Sequence, residues 1–325
     1  MAVVGVPGSR TQTVAFLRTN LPLASLPMGT NLVRALEPFS PRPVQDILEA
    51  QIALARRGLS PGSVDGAEGS QTRAALAAFQ RKEKLVATAR LDAATKGQLI
   101  LDAPGLTNYT ISLDDLARLV PVSRTWQGKS EQGRLDYENI LELVAEKSCS
   151  SPKLIRRLNP TVDWDNVTAG MVVVVPDTSL RPAVGASAFV RISLSGRTLD
   201  VFDAETNLLA HFPCSIAARV EKRPLGDLHV AAVAHNPNYT FDPDIFPESA
   251  EARGLGRKLV LPPGPNNPVG TAWVGLDRAG YGIHGTPRPE EVGRTESHGC
   301  FRLANWNAEL LARLVSIGTP VLVEY

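Results

Sequence analysis

The chain has 325 residues, 43% of them apolar and 21% charged, with a formal net charge of +1. That length exceeds one ordinary core and predicts two or three domains, and the balanced charge argues against a nucleic-acid or other polyanion partner. No apolar run approaches the roughly 20 residues of a membrane-spanning helix, and three cysteines (Cys149, Cys214 and Cys300) are too few, and odd in number, for a disulfide framework.

Residues 1–40 read as a disordered leader. No charged segment precedes their apolar stretch, and Arg18, Asn20 and Pro22 interrupt it, which makes a poor export signal. The first structured unit is expected over residues 41–103. Val44, Ile47, Leu48, Ile52 and Leu54 recur at roughly helical spacing over 43–57, and Gly58 ends that helix. A loop rich in Gly, Pro, Ser and Asp follows. A second helix then carries Ala75, Leu76 and Phe79 on one face, and a third carries Leu91, Ala94 and Leu99. Three short helices around an Asp-Gly loop make a small bundle.

The second unit is expected over residues 104–180. An amphipathic helix at 138–147 turns Ile140, Leu141 and Val144 inward. A second helix starts with Ser151 as N-cap and Pro152 in its first position. An apolar strand closed by Pro176 ends the unit, and its partner is expected at Tyr109–Leu113, before a long insertion. From 186 to 325 the pattern becomes alternation. Strands are expected around Phe189, Ile192 and Leu194, around Leu199, Val201 and Phe202, and over 229–239, 271–276 and 320–325. One helix, 307–318, ends at Gly318. The fold class is multidomain α+β: a helical bundle, an α/β unit, and a β-rich, sandwich-like C-terminal domain.

The chemistry concentrates in residues 280–303, where a glycine-marked frame holds His284, Ser297, His298, Cys300 and Arg302. A lone cysteine is usually a small buried hydrophobe, a reading that suits Cys149 and Cys214. Cys300 differs. Gly299 before it permits an open turn that exposes the sulfur and aims successive amides at one point, as an oxyanion hole requires. His284 stands beside Gly285 at a strand end. A thiol of pKa ~8.5 is only partly ionised at neutral pH, so a nearby imidazole matters. Three readings follow: a structural histidine and core thiol, a zinc site of His284, His298 and Cys300, or a cysteine nucleophile with its base. The spacing H-x13-H-x-C matches no common zinc pattern.

Residues 259–303 also carry Asn267-Pro268-x-Gly270-x-x-Trp273, then His284-Gly285-Thr286, then Ser297-His298-Gly299-Cys300-Phe301-Arg302. These resemble the YkuD-type L,D-transpeptidase catalytic domain, over roughly residues 187–325. The resemblance implies that Cys300 is the nucleophile and His284 the general base and acid. It implies that the Gly285 carbonyl orients the imidazole and that the Gly299 and Cys300 amides hold the oxyanion. Ser297, His298, Arg302 and Tyr281 fall at substrate-contacting positions. No metal or organic cofactor is implied. Where that family often has T-P-x-G-x-[FY], this chain has Arg223-Pro224-Leu225-Gly226-Asp227-Leu228, a change on the donor side of the cleft.

Two further resemblances lie upstream. Leu54, Gly58, Val64-Asp65-Gly66, Gly69, Thr72, Ala75, Phe79 and Gln80 are spaced as in the helical peptidoglycan-binding domain. The helix, helix, Asn-Pro and Gly-introduced strand of the second unit resemble the second half of a LysM domain, a family that binds N-acetylglucosamine-containing glycan. The implied partner is peptidoglycan, both stem peptides and glycan. The implied acceptor is a second stem, a wall-anchored protein, water or a D-amino acid. The implied location is periplasmic or cell-wall associated. Two rival functions are a non-catalytic peptidoglycan-binding protein and a cysteine peptidase or L,D-carboxypeptidase that hydrolyses stems.

Overall fold

A computed structural model describes residues 39–180, 187–246, 249–295 and 299–325. All but the last two residues of the expected leader lie outside the described residues, as do Ser297 and His298. Among the described residues no helix is long and apolar enough to cross a membrane.

The first unit is built from β1 (Arg42–Pro43), α1 (Ile47–Ala55), α2 (Ser70–Lys82), α3 (Ala93–Gln98) and β2 (Ile100–Leu101). Helix α1 begins later than its apolar periodicity suggests. The Asp46 side chain accepts the Glu49 amide as an N-cap, and Arg42–Pro43 pair antiparallel with Ile100–Leu101 instead. Ile52, Leu54, Leu76 and Phe79 are fully buried between the helices. The Val64-Asp65-Gly66 turn is held from inside by Gln51, whose Oε1 accepts the amides of Asp65 (3.1 Å) and Gly66 (2.8 Å). Gly66 has φ of 76°, a conformation that favours glycine.

The second unit comprises β3 (Leu106–Thr110), α4 (Leu113–Ala117), α5 (Trp126–Ser130), α6 (Ile140–Lys147), α7 (Pro152–Leu158) and β4 (Val172–Pro176). Strands β3 and β4 pair antiparallel, with Tyr109 opposite Val173. The first strand lies three residues earlier than expected, because Ser112 and Asp115 form a capping box that starts α4 there. Ser151 caps α7 with Pro152 at its first position, as its sequence predicts.

The third unit holds β5 (Phe189–Ser193), β6 (Thr198–Phe202), β7 (Leu208–Pro213), β8 (Gly226–His235), β9 (Tyr239–Phe241), α8 (Ala250–Gly254), β10 (Leu259–Leu261), β11 (Ala272–Leu276), β12 (Gly282–His284), β13 (Phe301–Arg302), α9 (Asn305–Leu314) and β14 (Pro320–Glu324). Eight strands form one sheet in the order β13-β12-β11-β8-β14-β5-β6-β7, parallel only at β12–β13 and β14–β5. All eight strands and α9 contribute to a single apolar cluster, so the sheet curls around one core. The α+β class is as expected. Val190, Ile192 and Leu194 enter the core, while Phe189 stacks on Phe202 at 4.9 Å on the opposite face. Strand alternation requires this, since 189 and 192 differ by an odd number of residues.

Residues 39–325 form one compact body. Leu59 makes a β-bridge to His211 of β7, with the Ser60 amide donating to the His211 carbonyl at 2.8 Å. The long insertion of the second unit docks on the third. Trp126 of α5 stacks on Phe241 at 4.2 Å, and Leu135 is buried with Phe241, Leu259 and Leu261.

Candidate active site

Strands β12 and β13 carry or adjoin the candidate residues. They pair parallel, with Ile283 opposite Phe301 and His284 opposite Arg302. Ile283 and Phe301 point into the core, each 1% exposed. Alternation then puts His284 and Arg302 on the other face, opposite each other on neighbouring strands, with Cys300 immediately before β13. The apolar residues thus aim the polar ones.

His284 is buried, and its Nδ1 lies 2.6 Å from the Gly285 carbonyl oxygen. A carbonyl only accepts, so Nδ1 carries the proton and Nε2 presents a lone pair. Burial pushes the imidazole down to about 4; the Gly285 carbonyl opposes this and the Arg302 charge adds to it. At neutral pH the ring is therefore uncharged and able to take a proton. Trp273, the cross-strand partner of His284 on β11, stacks on the ring at 5.5 Å and 17°. The indole occupies the space left by Gly282, where a Cβ would fall 2.5 Å from its Cζ2.

Gly285 is sterically required. A Cβ there would lie 2.2 Å from Asn305 Oδ1, and one on Gly270 (φ 62°) would lie 1.9 Å from the same atom. The Asn-Pro-x-Gly-x-x-Trp segment is thus a scaffold behind the histidine: Asn267 ties its own loop through Pro262 and Val269, Gly270 passes under Asn305, and Trp273 faces the ring.

Cys300 is partly exposed, with Sγ donating to the Gly280 carbonyl at 3.6 Å. Burial raises its thiol, and the Gly282 backbone amide pulls the other way by favouring the thiolate. Cys149 and Cys214 are pushed up to about 12 by burial, which makes them inert at neutral pH. Among the described residues no disulfide forms. Arg302 is partly buried, and its guanidinium donates to Thr295 Oγ1 at 3.0 Å. Tyr281 sits between the two glycines that flank the thiol, beneath the Arg278 guanidinium at 5.9 Å. At the donor edge Arg223 is turned inward, Nε donating to the Ala217 carbonyl at 2.8 Å. Among the described residues no group of three or more metal-ligating side chains comes together.

Two supporting residues escaped the sequence analysis. Asn305, which opens α9, and Glu146, from α6 of the second unit, meet at 2.9 Å behind Gly285. Nothing in local periodicity signals a contact across 159 positions of chain. A separate cavity of about 930 Å³ opens where all three units meet; its walls include Asp65, Glu146, Arg156, Trp164 and Arg294 but neither Cys300 nor His284.

A partly exposed thiol and a neutral imidazole with one nitrogen locked by a carbonyl, brought to adjoining strands, are the residue types that cysteine acyl transfer uses. Comparison with known proteins agrees. A model of the L,D-transpeptidase catalytic domain matches residues 187–323, and one of a putative peptidoglycan binding domain matches residues 43–99. The chain is 26% identical over 183 residues to a putative L,D-transpeptidase of Bacillus licheniformis, covering 56% of this chain and 92% of that one. It is 30% identical over 147 residues to a putative L,D-transpeptidase encoded in the ATP synthase subunits region of Fuscovulum blasticum, covering 45% and 71% respectively. Among solved structures, an L,D-transpeptidase from Mycobacterium smegmatis aligns with 49% of this chain and 76% of its own at 20% identity, with a TM-score of 0.34. The chain belongs to the L,D-transpeptidase family. It is a peptidoglycan L,D-transpeptidase of the cysteine type, which acts at the cell wall or in the periplasm.

Proposed function

We propose that Cys300 is the nucleophile and His284 the proton carrier of a two-step acyl transfer between peptidoglycan stems. His284 Nε2 takes the thiol proton as Sγ attacks the carbonyl carbon of the third stem residue. The C–N bond to the terminal D-alanine breaks, and the imidazolium returns its proton to the departing amine. A thioester remains on Cys300. The side-chain amine of a second stem attacks it, gives a proton to His284, and releases the thiol with a 3→3 cross-link formed. An amine on a wall-anchored protein is the alternative acceptor of the same chemistry.

The observation that carries this reading is the Nδ1–H bond to Gly285, which fixes the tautomer and leaves Nε2 as an acceptor, on a strand paired with the one that Cys300 directly precedes. Gly285 thus orients the base through its carbonyl. Gly299 and Cys300 amides hold the developing oxyanion. Tyr281 and Arg302 are assigned to substrate contact; Ser297 and His298, assigned the same role from the sequence, lie outside the described residues. Residues 41–103 and the LysM-like unit at 104–180 hold the insoluble polymer near the catalytic unit at 186–325, raising the local concentration of stems.

Incubation with a disaccharide-tetrapeptide, read by mass spectrometry, tests the transfer. The expected products are free D-alanine and a cross-linked dimer. Tripeptide alone, with no dimer, would show hydrolysis and sink the cross-linking assignment.

A further inference from the structure

We infer that Glu146, on α6 of the second unit, is a positioning residue for transpeptidation: it holds Asn305 where that side chain supports the backbone behind His284. The inference rests on the assignment of His284 as base and Cys300 as nucleophile.

Asn305 is almost wholly buried, and its amide has a single possible orientation. The Thr271 amide can only donate, and it faces Asn305 Oδ1 at 3.3 Å. The Pro265 carbonyl can only accept, and it faces Nδ2 at 3.2 Å. The second Nδ2 proton goes to Glu146 Oε1 at 2.9 Å. With Nδ2 held on that side, Oδ1 is pressed into the notch between Gly270 and Gly285. The Gly285 carbonyl in turn holds His284 Nδ1. Three consecutive contacts therefore run from a carboxyl outside the catalytic unit to the base inside it.

A carboxyl is a costly choice for this place. Glu142 of the same helix, Glu309 of α9 and the Tyr137 hydroxyl, 3.5 Å away, face it, and none is cationic. Arg156 of α7, with Glu290 and Arg294 of the third unit, line the same three-unit cavity as Glu146. Burial pushes the Glu146 carboxyl up to about 8. An apolar side chain would fill the interface more cheaply; what it lacks is an acceptor for Asn305. At neutral pH the protonated acid supplies that acceptor without a buried charge. Above about pH 8 it ionises; the Asn305 bond favours the carboxylate, while Glu142 and Glu309 oppose its charge.

The test is the rate at which a carbapenem acylates the full-length protein, followed by intact mass for wild type, Glu146→Ala and Glu146→Gln. In Glu146→Ala the maximal acylation rate is expected to fall on the order of tenfold, with the half-saturating carbapenem concentration unchanged. Glu146→Gln keeps an acceptor oxygen and is expected to restore most of the rate at pH 7. Because glutamine does not titrate, the wild-type-to-Gln rate ratio is expected to change as pH rises through about 8, which a merely structural contact would not produce. Wild-type rates in Glu146→Ala, a loss confined to half-saturation, or a Gln variant as slow as Ala would each overturn the inference. Should Glu146→Ala not fold, a flat wild-type-to-Gln ratio between pH 6 and 10, on the order of four pH units of range, overturns it alone. No adduct on the wild type would instead overturn the assignment of Cys300 beneath it.

Discussion

His284 gains its character from what surrounds it rather than from the ring itself. Burial and the Arg302 charge lower its proton affinity while the Gly285 carbonyl fixes which nitrogen is bare. The sign of the pH dependence follows. Protonated imidazole cannot accept the thiol proton, and the folded value is depressed to about 4, so the base stays competent down to that pH. The acid limb of the second-order rate constant for carbapenem acylation is therefore expected near pH 4, well below the ~6.5 of a solvated histidine. A limb near 6.5 would mean a ring open to water. The glycines, histidine and cysteine of this candidate site stand out in the sequence because they lie on or next to two short adjoining strands, so their glycine-marked frame is a local pattern. Trp273 was visible as a motif letter only. Its stacking on His284 depends on the β11–β12 register, which periodicity cannot supply.

Among the elements, the insertion between β3 and α6 departs furthest from a simple βααβ unit. It is a docking arm. Trp126 stacks on Phe241 and packs at 5.9 Å from Phe246, while the Leu135 amide donates to the Pro263 carbonyl at 2.9 Å. Gly264, with φ of 143°, lets the backbones meet; a Cβ there would lie 2.1 Å from the Leu135 carbonyl oxygen. Trp126→Ala is expected to lower stability by about 1–3 kcal/mol and to speed proteolysis within residues 118–138, read by limited digestion and thermal melting. Unchanged digestion there would show that the arm does not depend on this stack. The helices were legible because apolar spacing and caps such as Ser151 act within a few residues. What lies opposite them was not: β1 with β2, Leu59 with His211 and Glu146 with Asn305 are all long-range pairings between segments whose own patterns name no partner.

For the molecule as a whole, the three units behave as one body because polar clamps join them at buried points. Arg56 of α1, 1% exposed, donates to Asp102 and Asp177 side chains and to the carbonyls of Ala103, Pro104 and Asp177. It binds the end of the first unit to the end of the second. Arg56→Ala removes all of these hydrogen bonds and is expected to cost about 1–3 kcal/mol, seen as a lower urea midpoint shared by all units. An unchanged midpoint would show that the clamp carries no weight. Glu146 gives the assembly a pH dependence of opposite origin. A carboxyl raised from 4.5 to about 8 keeps its full contribution below pH 4.5 and loses it progressively as pH rises to about 8. The central claim remains the thiol. The most direct measurement is to treat the full-length protein with a carbapenem, record the intact mass, and map the adduct by peptide digestion. The account predicts one adduct, on Cys300, absent from Cys300→Ala and never on Cys149 or Cys214; a wild-type protein that gains no mass, or gains it at another residue, would contradict it.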